Sequence, residues 1–365
     1  MSNSAIIQTG TSFHLYDESV QPHDKLPAGI YRIQFSKTGG YWLNKLNEDD
    51  YFTNLEQKLY GNHNAKIDKI FKRYTNTDSG MGVLFSGDKG MGKSLAVMTL
   101  AKRAIEELNL PVILVNNAYP NVAEYISSID EAVIIFDEFE KVFQQEDADL
   151  ENQQNQFLNL LDGFATTKRL YLFTVNDTKL LSDYLLNRPG RIHYHIKFRY
   201  PEADAVREYL LDNTTSVDEQ EIEKAVAFSA THKINYDHLR AIAQELNTGD
   251  TFTDIIEDLN IDPDDTQSLA VDVTYDNGVT EREYTTGVRL HNQYDQELRL
   301  YPKQFDRAYD VKFNPKDGVF TDSGLVVKPF DIQVAYDTED TKANRPKPVK
   351  LKFSVALPAQ TKLFL

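Results

Sequence analysis

The chain has 365 residues, 41% of them hydrophobic, with 39 Lys and Arg against 56 Asp and Glu, a formal net charge of −17 and no cysteine. At roughly 100 to 200 residues per domain this predicts two to three domains with cores of their own, and it excludes disulfide frameworks, Cys-ligated zinc, iron–sulfur clusters and thiol catalysis. Residues 1–19 hold no basic stretch followed by an apolar core and no apolar run reaches about 18 residues, so a cytoplasmic protein without a membrane span is expected, and its acidity favours protein over nucleic acid as partner.

The N-terminal region, 1–55, reads as β-rich: Phe13 and Leu15, then Tyr31, Ile33 and Phe35 alternate with polar residues, and Gly39-Gly40 turns into Tyr41-Trp42-Leu43. Ile67, Ile70 and Phe71 recur at helical spacing over 65–74. Short apolar runs then mark buried strands at 83–85, 112–115, 133–136 and 170–175, with helical spacing over 94–108 and again at Phe157, Leu158, Leu160 and Leu161. This alternation predicts an α/β domain over 56–200 whose mostly parallel sheet is covered on both faces. A further strand over 192–198 closes it. Four helical patterns follow, 202–211, 219–229, 236–246 and 252–259, predicting a small helical domain over 201–262. Beyond a Pro/Asp linker at 262–265, residues 266–365 again read as strands, with hairpin turns at Asp276-Asn277-Gly278 and Asp317-Gly318 and alternation at Ile332, Val334 and Tyr336. The polar stretch 337–348 reads as a mobile loop or an edge.

Gly87-Asp88-Lys89-Gly90-Met91-Gly92-Lys93-Ser94 has the spacing of a phosphate-binding loop and lies between a buried strand and a helix, where that loop must lie. Glycines let backbone N–H groups wrap phosphates, the helix N-terminus adds a favourable dipole, Lys93 reaches the β- and γ-phosphates, and Ser94 ligates Mg²⁺. After the apolar strand 133–136, Asp137 can hold the magnesium hydration shell and Glu138 can polarise an attacking water. Asn176, ending the strand 170–175, could orient that water. Asn187-Arg188-Pro189-Gly190-Arg191 sets two guanidiniums around a rigid turn, for either an ion-pair cluster or the neutralisation of transition-state charge.

These four elements in this order, GDKGMGKS, VIIFDE, LFTVND and RPGR, with a helical domain behind them, resemble the AAA group of AAA+ ATPases. The resemblance covers residues 59–261 and implies a P-loop core with a helical lid, flanked by β-rich ends. It implies that Asn176 reads the γ-phosphate, that Arg188 and Arg191 are fingers acting on a neighbouring subunit's nucleotide, and hence a homo-oligomeric, hexamer-like ring. Leu59-Tyr60-Gly61 resembles the family segment that packs on adenine. Arg240 could be a second sensor, although the usual sensor position here holds Asp237.

Departures from the family are as informative. The interval 116–132 is short for the aromatic pore loop of AAA translocases, and Tyr119 beside Pro120 reads either as a pore residue or as a packing anchor. There is no His-Glu-x-x-His, so the peptidase of the membrane metalloproteases is absent from this sequence. The pattern is most similar to compact AAA ATPases of bacteriophage genomes, which would place the protein in a host cytoplasm, and more distantly to the mitochondrial AAA translocase of a folded Rieske protein. Three readings share the ATPase: a remodeller or translocase of a protein client, a nucleic-acid motor or loader, and an ATP-controlled scaffold or assembly factor. The basic stretch 342–352, with Arg345, Lys347, Lys350 and Lys352, supports the second reading or is a solvated strand face. The short interval around Tyr119 favours the third.

Overall fold

The computed structural model describes residues 5–9, 11–16, 20–21, 23–56, 58–117, 119–142, 167–178, 192–259, 268–290, 294–303, 308–334 and 346–356. The expected helix around 157–161, the linker 262–265, and the loop 337–345 lie outside the described residues. The chain divides into two compact units: Met1–Lys58, Lys66–Ser86 and Lys93–Ile196 form the first, and Leu59–Ala65, Gly87–Gly92 and Lys197–Leu365 the second.

The first unit is built on a sheet whose central strands are β5 (Met81–Ser86), β6 (Pro111–Leu114), β7 (Val133–Phe136) and β8 (Leu170–Val175), buried at every position. Strands covered on both faces need apolar residues throughout, which is why these runs do not alternate. The pairs β6–β7, β7–β8 and β8–β5 are parallel. Helices α2 (His63–Thr75) and α3 (Lys93–Leu108) contribute Ile67, Ile70 and Phe71, and Ala96, Val97, Leu100 and Ala101, at the spacing of one helical face. Arg169 is buried just before β8, where its guanidinium donates to the carbonyls of Ser127 and Ile129.

The N-terminal strands are present as expected, and the structure adds a pairing that their alternation did not contain. β3 (Gly29–Ser36) joins β6 in parallel, and β4 (Gly40–Lys45) returns antiparallel along β3. With β9 (Tyr194–Lys197) at the other edge, the seven strands run β4-β3-β6-β7-β8-β5-β9. The hairpin thus covers the unpaired N–H and C=O groups that β6 would otherwise present. β1 (Ala5–Thr9) and β2 (Ser12–Tyr16) form a separate two-stranded sheet. Short helices α1 (Glu48–Tyr51), α4 (Val122–Ser127) and α5 (Phe139–Val142) and a 3-10 turn at Thr53–Glu56 also belong to this unit.

In the second unit α6 (Ala203–Asn213), α7 (Glu219–Ser229), α8 (Tyr236–Thr248) and α9 (Phe252–Asp258) follow the four predicted helices closely. Their ends carry ordinary stop and start chemistry: Asp218, Asn235 and Thr251 cap N-termini through side-chain oxygens, and Gly249, at φ +102°, ends α8. Val206, Leu210, Ile222, Val226, Leu239 and Ile242 form their core.

The C-terminal strands make two sheets around one core. One has the order β11 (Thr280–Thr285), β10 (Leu269–Tyr275), β17 (Pro348–Val355), β15 (Gly324–Val327), β14 (Val319–Thr321). The other runs β12 (Gln296–Leu300), β13 (Tyr309–Phe313), β16 (Asp331–Val334). Val271, Val273, Leu298, Val311, Phe313, Leu325, Leu351 and Phe353 from both sheets meet in one cluster. Asp276-Asn277-Gly278 is the expected turn, joining β10 to β11. Asp317-Gly318 is not a hairpin turn, which corrects the sequence reading. It belongs to the link from β13 to β14, strands of different sheets, and a Cβ on Gly318 would sit 2.3 Å from Val327 Cγ1. Close approach to β15, and not a turn conformation, explains that glycine. Lys350 and Lys352 lie on β17 opposite Thr274 and Asp272, the pattern of a solvated strand face, while Lys342 and Arg345 fall outside the described residues. Among the described residues no helix is long and apolar enough to cross a membrane.

Candidate functional site

Apolar β7 delivers Asp137 and Glu138 to its C-terminal end, beside the end of its parallel neighbour β8. There the Thr174 hydroxyl, on a residue only 1% exposed, donates to Asp137 Oδ1 at 2.5 Å and accepts from the Glu138 backbone N–H at 2.8 Å. Ser94 at the start of α3 donates its hydroxyl to the same Asp137 oxygen at 3.4 Å. Glu138 takes a left-handed conformation, φ +49°, which costs an ordinary side chain energy and is held here by the Thr174 bond. Its Oε2 lies 2.6 Å from Lys141 Nζ, and this hydrogen bond raises the Lys141 ammonium above its ordinary pKa.

Lys93 is buried, and its ammonium donates to Asn176 Oδ1 at 2.9 Å. The other end of the Asn176 amide, Nδ2, donates to Glu140 Oε1 at 2.8 Å and to Glu138 Oε1 at 3.4 Å. The Asn176 backbone N–H also donates to Glu140 Oε1, at 3.0 Å. Lys93, Ser94, Asp137, Glu138 and Asn176 are therefore joined in one network. Thr174 and Glu140 belong to it as well, and neither was picked out from the sequence. Thr174 is hidden in an apolar strand, and Glu140 had only its place two residues after the acidic pair as a signal.

The loop Gly87–Gly92 lies in the second unit. Gly87 has φ +145°, and a Cβ there would sit 2.2 Å from Phe198 O. Gly90 has φ +74°, and its Cβ would sit 2.7 Å from Asp237 Oδ2 and 2.8 Å from Asn235 Nδ2. Both positions demand glycine twice over, by backbone conformation and by space. Gly90 O accepts from the Tyr236 N–H at 3.0 Å, Lys89 O from Asn235 Nδ2 at 3.3 Å, and Asp88 Oδ2 from the Tyr200 hydroxyl at 2.7 Å. Burial first, and Asp88 second, push the Tyr200 phenol above its ordinary pKa. Met91 is buried.

The remaining candidates divide. Tyr60 packs in the core of the helical lid, its ring against Tyr209 and Tyr236 and its hydroxyl accepting from Asn213 Nδ2 at 2.9 Å; Gly61 follows at φ +73°. Arg240 pairs with Asp237 one helical turn away at 3.9 Å. Tyr119 packs on Phe35 and Tyr41, with ring centroids 5.6 and 6.3 Å apart, and accepts from Asn117. That is the packing-anchor arrangement. Arg188 and Arg191 lie outside the described residues.

Residues 83–200 match the family described as ATPase family associated with various cellular activities (AAA). No curated protein matches the chain. The matched segment runs from β5 through the glycine loop, the Asp137-Glu138 pair and Asn176 to the end of the α/β core, so over this segment the chain is similar to the AAA ATPase domain, which supports a place in the AAA+ ATPase superfamily.

Proposed function

We propose that this protein binds Mg·ATP and hydrolyses it to ADP and phosphate as a subunit of a homo-oligomeric ring that remodels or translocates a protein client. The observation that carries the ATPase part is the single network joining Lys93, Ser94, Asp137, Glu138 and Asn176. The residues fit the ligands. Ser94 Oγ and Asp137 Oδ1 are hard oxygen donors 3.4 Å apart, suited to magnesium, which takes one or two protein ligands and completes its shell with phosphates and water. The positive-φ glycines of the loop turn N–H groups towards an anion. Bound Mg²⁺ would supply charge neutralisation at the phosphate oxygens.

The chain's own groups do the rest. Backbone N–H groups of 87–94 hold the phosphates, and Lys93 exchanges its Asn176 acceptor for a phosphate oxygen. The Leu59–Gly61 segment lies against the base. Glu138 accepts the proton of the attacking water, and Asn176 orients that water at the γ-phosphate. Arg188 or Arg191, from the neighbouring subunit, stabilises the charge that develops in transfer. A cytoplasmic setting, a host cytoplasm if the protein is phage-encoded, suits a chain without cysteine. Net charge, and the Asp272 facing Lys352, favour a protein client over nucleic acid.

A second reading, an ATP-controlled scaffold or assembly factor, is favoured by the packing of Tyr119, since a ring engaged with Phe35 and Tyr41 is not offered to a translocating chain. Glu138→Gln, expressed in the source cells and purified with ATP, separates these readings. It is expected to bind ATP and to lose hydrolysis by about 100-fold or more, the usual contribution of a general base. A protein retained on this trap supports the remodeller, nuclease-sensitive material the motor, and a clean oligomer the scaffold. Hydrolysis at the wild-type rate would show that Glu138 is not the base.

A further inference from the structure

We propose that Glu140 is a positioning residue for this hydrolysis, fixing which end of the Asn176 amide faces the reacting water; the inference rests on the ATPase reading above. Glu140 is 8% exposed, and Oε1 receives two hydrogen bonds from one residue, the Asn176 backbone N–H at 3.0 Å and Nδ2 at 2.8 Å. Its Oε2 is buried without a hydrogen-bond partner among the described residues. Every hydrogen bond that this carboxylate accepts within the described residues thus comes from Asn176.

An amide has a donor end and an acceptor end, and the two ends of Asn176 meet opposite chemistry. Oδ1 faces the Lys93 ammonium at 2.9 Å, and Nδ2 faces the Glu140 and Glu138 carboxylates. A flip would set NH₂ against ammonium and carbonyl oxygen against carboxylate, a double mismatch. When Lys93 turns to a phosphate, its hold on Oδ1 is gone. Glu138 is then the weaker of the two remaining partners, at 3.4 Å, and is itself occupied with Lys141 and with water. Glu140 alone keeps both the strand end and the amide in register. The hydrogen bonds it accepts come from Asn176, so it acts through that residue.

Full-length wild type, Glu140→Ala, Glu140→Asp, Glu140→Gln, Asn176→Ala and the Glu140→Ala/Asn176→Ala double variant would be compared in steady-state ATP hydrolysis. Glu140→Ala is expected to lower kcat about 10- to 100-fold with KM within about threefold, the scale of a misplaced catalytic group. Glu140→Asp keeps the charge, loses the reach and behaves like Glu140→Ala, and it serves if the alanine variant does not fold. Glu140→Gln keeps an acceptor oxygen and stays within about threefold of wild type. The double variant is no slower than Asn176→Ala alone. Multiplied losses in the double variant, or Glu140→Asp as fast as wild type, overturn the proposal.

A second readout needs no turnover. In protein labelled with ¹⁵N-asparagine, the side-chain amide resonance that Asn176→Ala removes is expected to shift and to exchange faster in Glu140→Ala or Glu140→Asp, and to hold its place in Glu140→Gln. An unmoved resonance in the alanine or aspartate variant overturns the assignment. If wild type hydrolyses no ATP, the ATPase reading falls, and this resonance by itself decides whether Glu140 positions Asn176.

Discussion

Thr174 sits at the end of an apolar strand, and its hydroxyl both donates to Asp137 and accepts from the Glu138 N–H. Thr174→Val preserves shape and removes both bonds, leaving a backbone N–H unpaired beside a carboxylate. A loss of about 1–3 kcal/mol in stability is expected, read by urea denaturation, with slower ATP turnover because Glu138 loses the bond that holds its left-handed backbone. Lys93→Ala removes the ammonium from the phosphate site, and nucleotide binding by calorimetry is expected to disappear. Lys93, Ser94, Asp137, Glu138 and Asn176 were legible because their chemistry is tied to residue type at fixed spacing from a strand or helix end. Thr174 and Glu140 were not, since their partners Asp137, Glu138 and Asn176 lie just beyond the ends of β7 and β8, brought together only by strand pairing.

The start of α8 shows how an element acts beyond its own helix. Asn235 and His238 form a reciprocal cap, with the His238 N–H donating to Asn235 Oδ1 at 2.8 Å and the Asn235 N–H to His238 Nδ1 at 3.4 Å. The second bond needs Nδ1 unprotonated. Burial lowers the His238 pKa below its ordinary value, against an opposing effect of Asp237. The unfolded chain therefore binds the proton more readily. This contribution to stability is present above the ordinary histidine value of about 6.5 and is lost as pH falls through the lower folded value. Glutamine at this position caps without titrating, so between pH 7.5 and 5.5 the thermal midpoint of wild type is expected to fall further than that of His238→Gln. Equal falls would exclude His238 as a source of pH sensitivity. Asn235→Ala is expected to cost about 1 kcal/mol through the lost cap.

At the scale of the whole molecule, the proposed ring makes the catalytic site a property of two subunits. Arg188→Ala is expected to bind ATP and lose turnover, and mixing it with Lys93→Ala subunits is expected to restore part of the activity, because each variant supplies the half that the other lacks. Turnover that stays at the level of the separate variants, in mixtures shown to co-assemble, would argue against a shared site. A charge of −17 per subunit opposes self-association, so the ATP-bound Glu138→Gln oligomer is expected to strengthen as salt rises from ~50 to ~150 mM, followed by light scattering.

The sequence by itself determined the α/β core, the four helices that follow it and the glycine loop between β5 and α3, because each is announced by periodicity or spacing over a short stretch of chain. Only the tertiary structure decided that β3 and β4 extend the core sheet, that Asp317-Gly318 links two sheets, that Tyr119 is packed, and that Thr174 and Glu140 hydrogen-bond to Asp137 and Asn176. Strand partners are chosen among edges far apart in the chain, and alternation says which face a residue occupies without saying which strand lies beside it. Hydrogen-bonding roles that depend on such a neighbour come into being only when the sheet has formed.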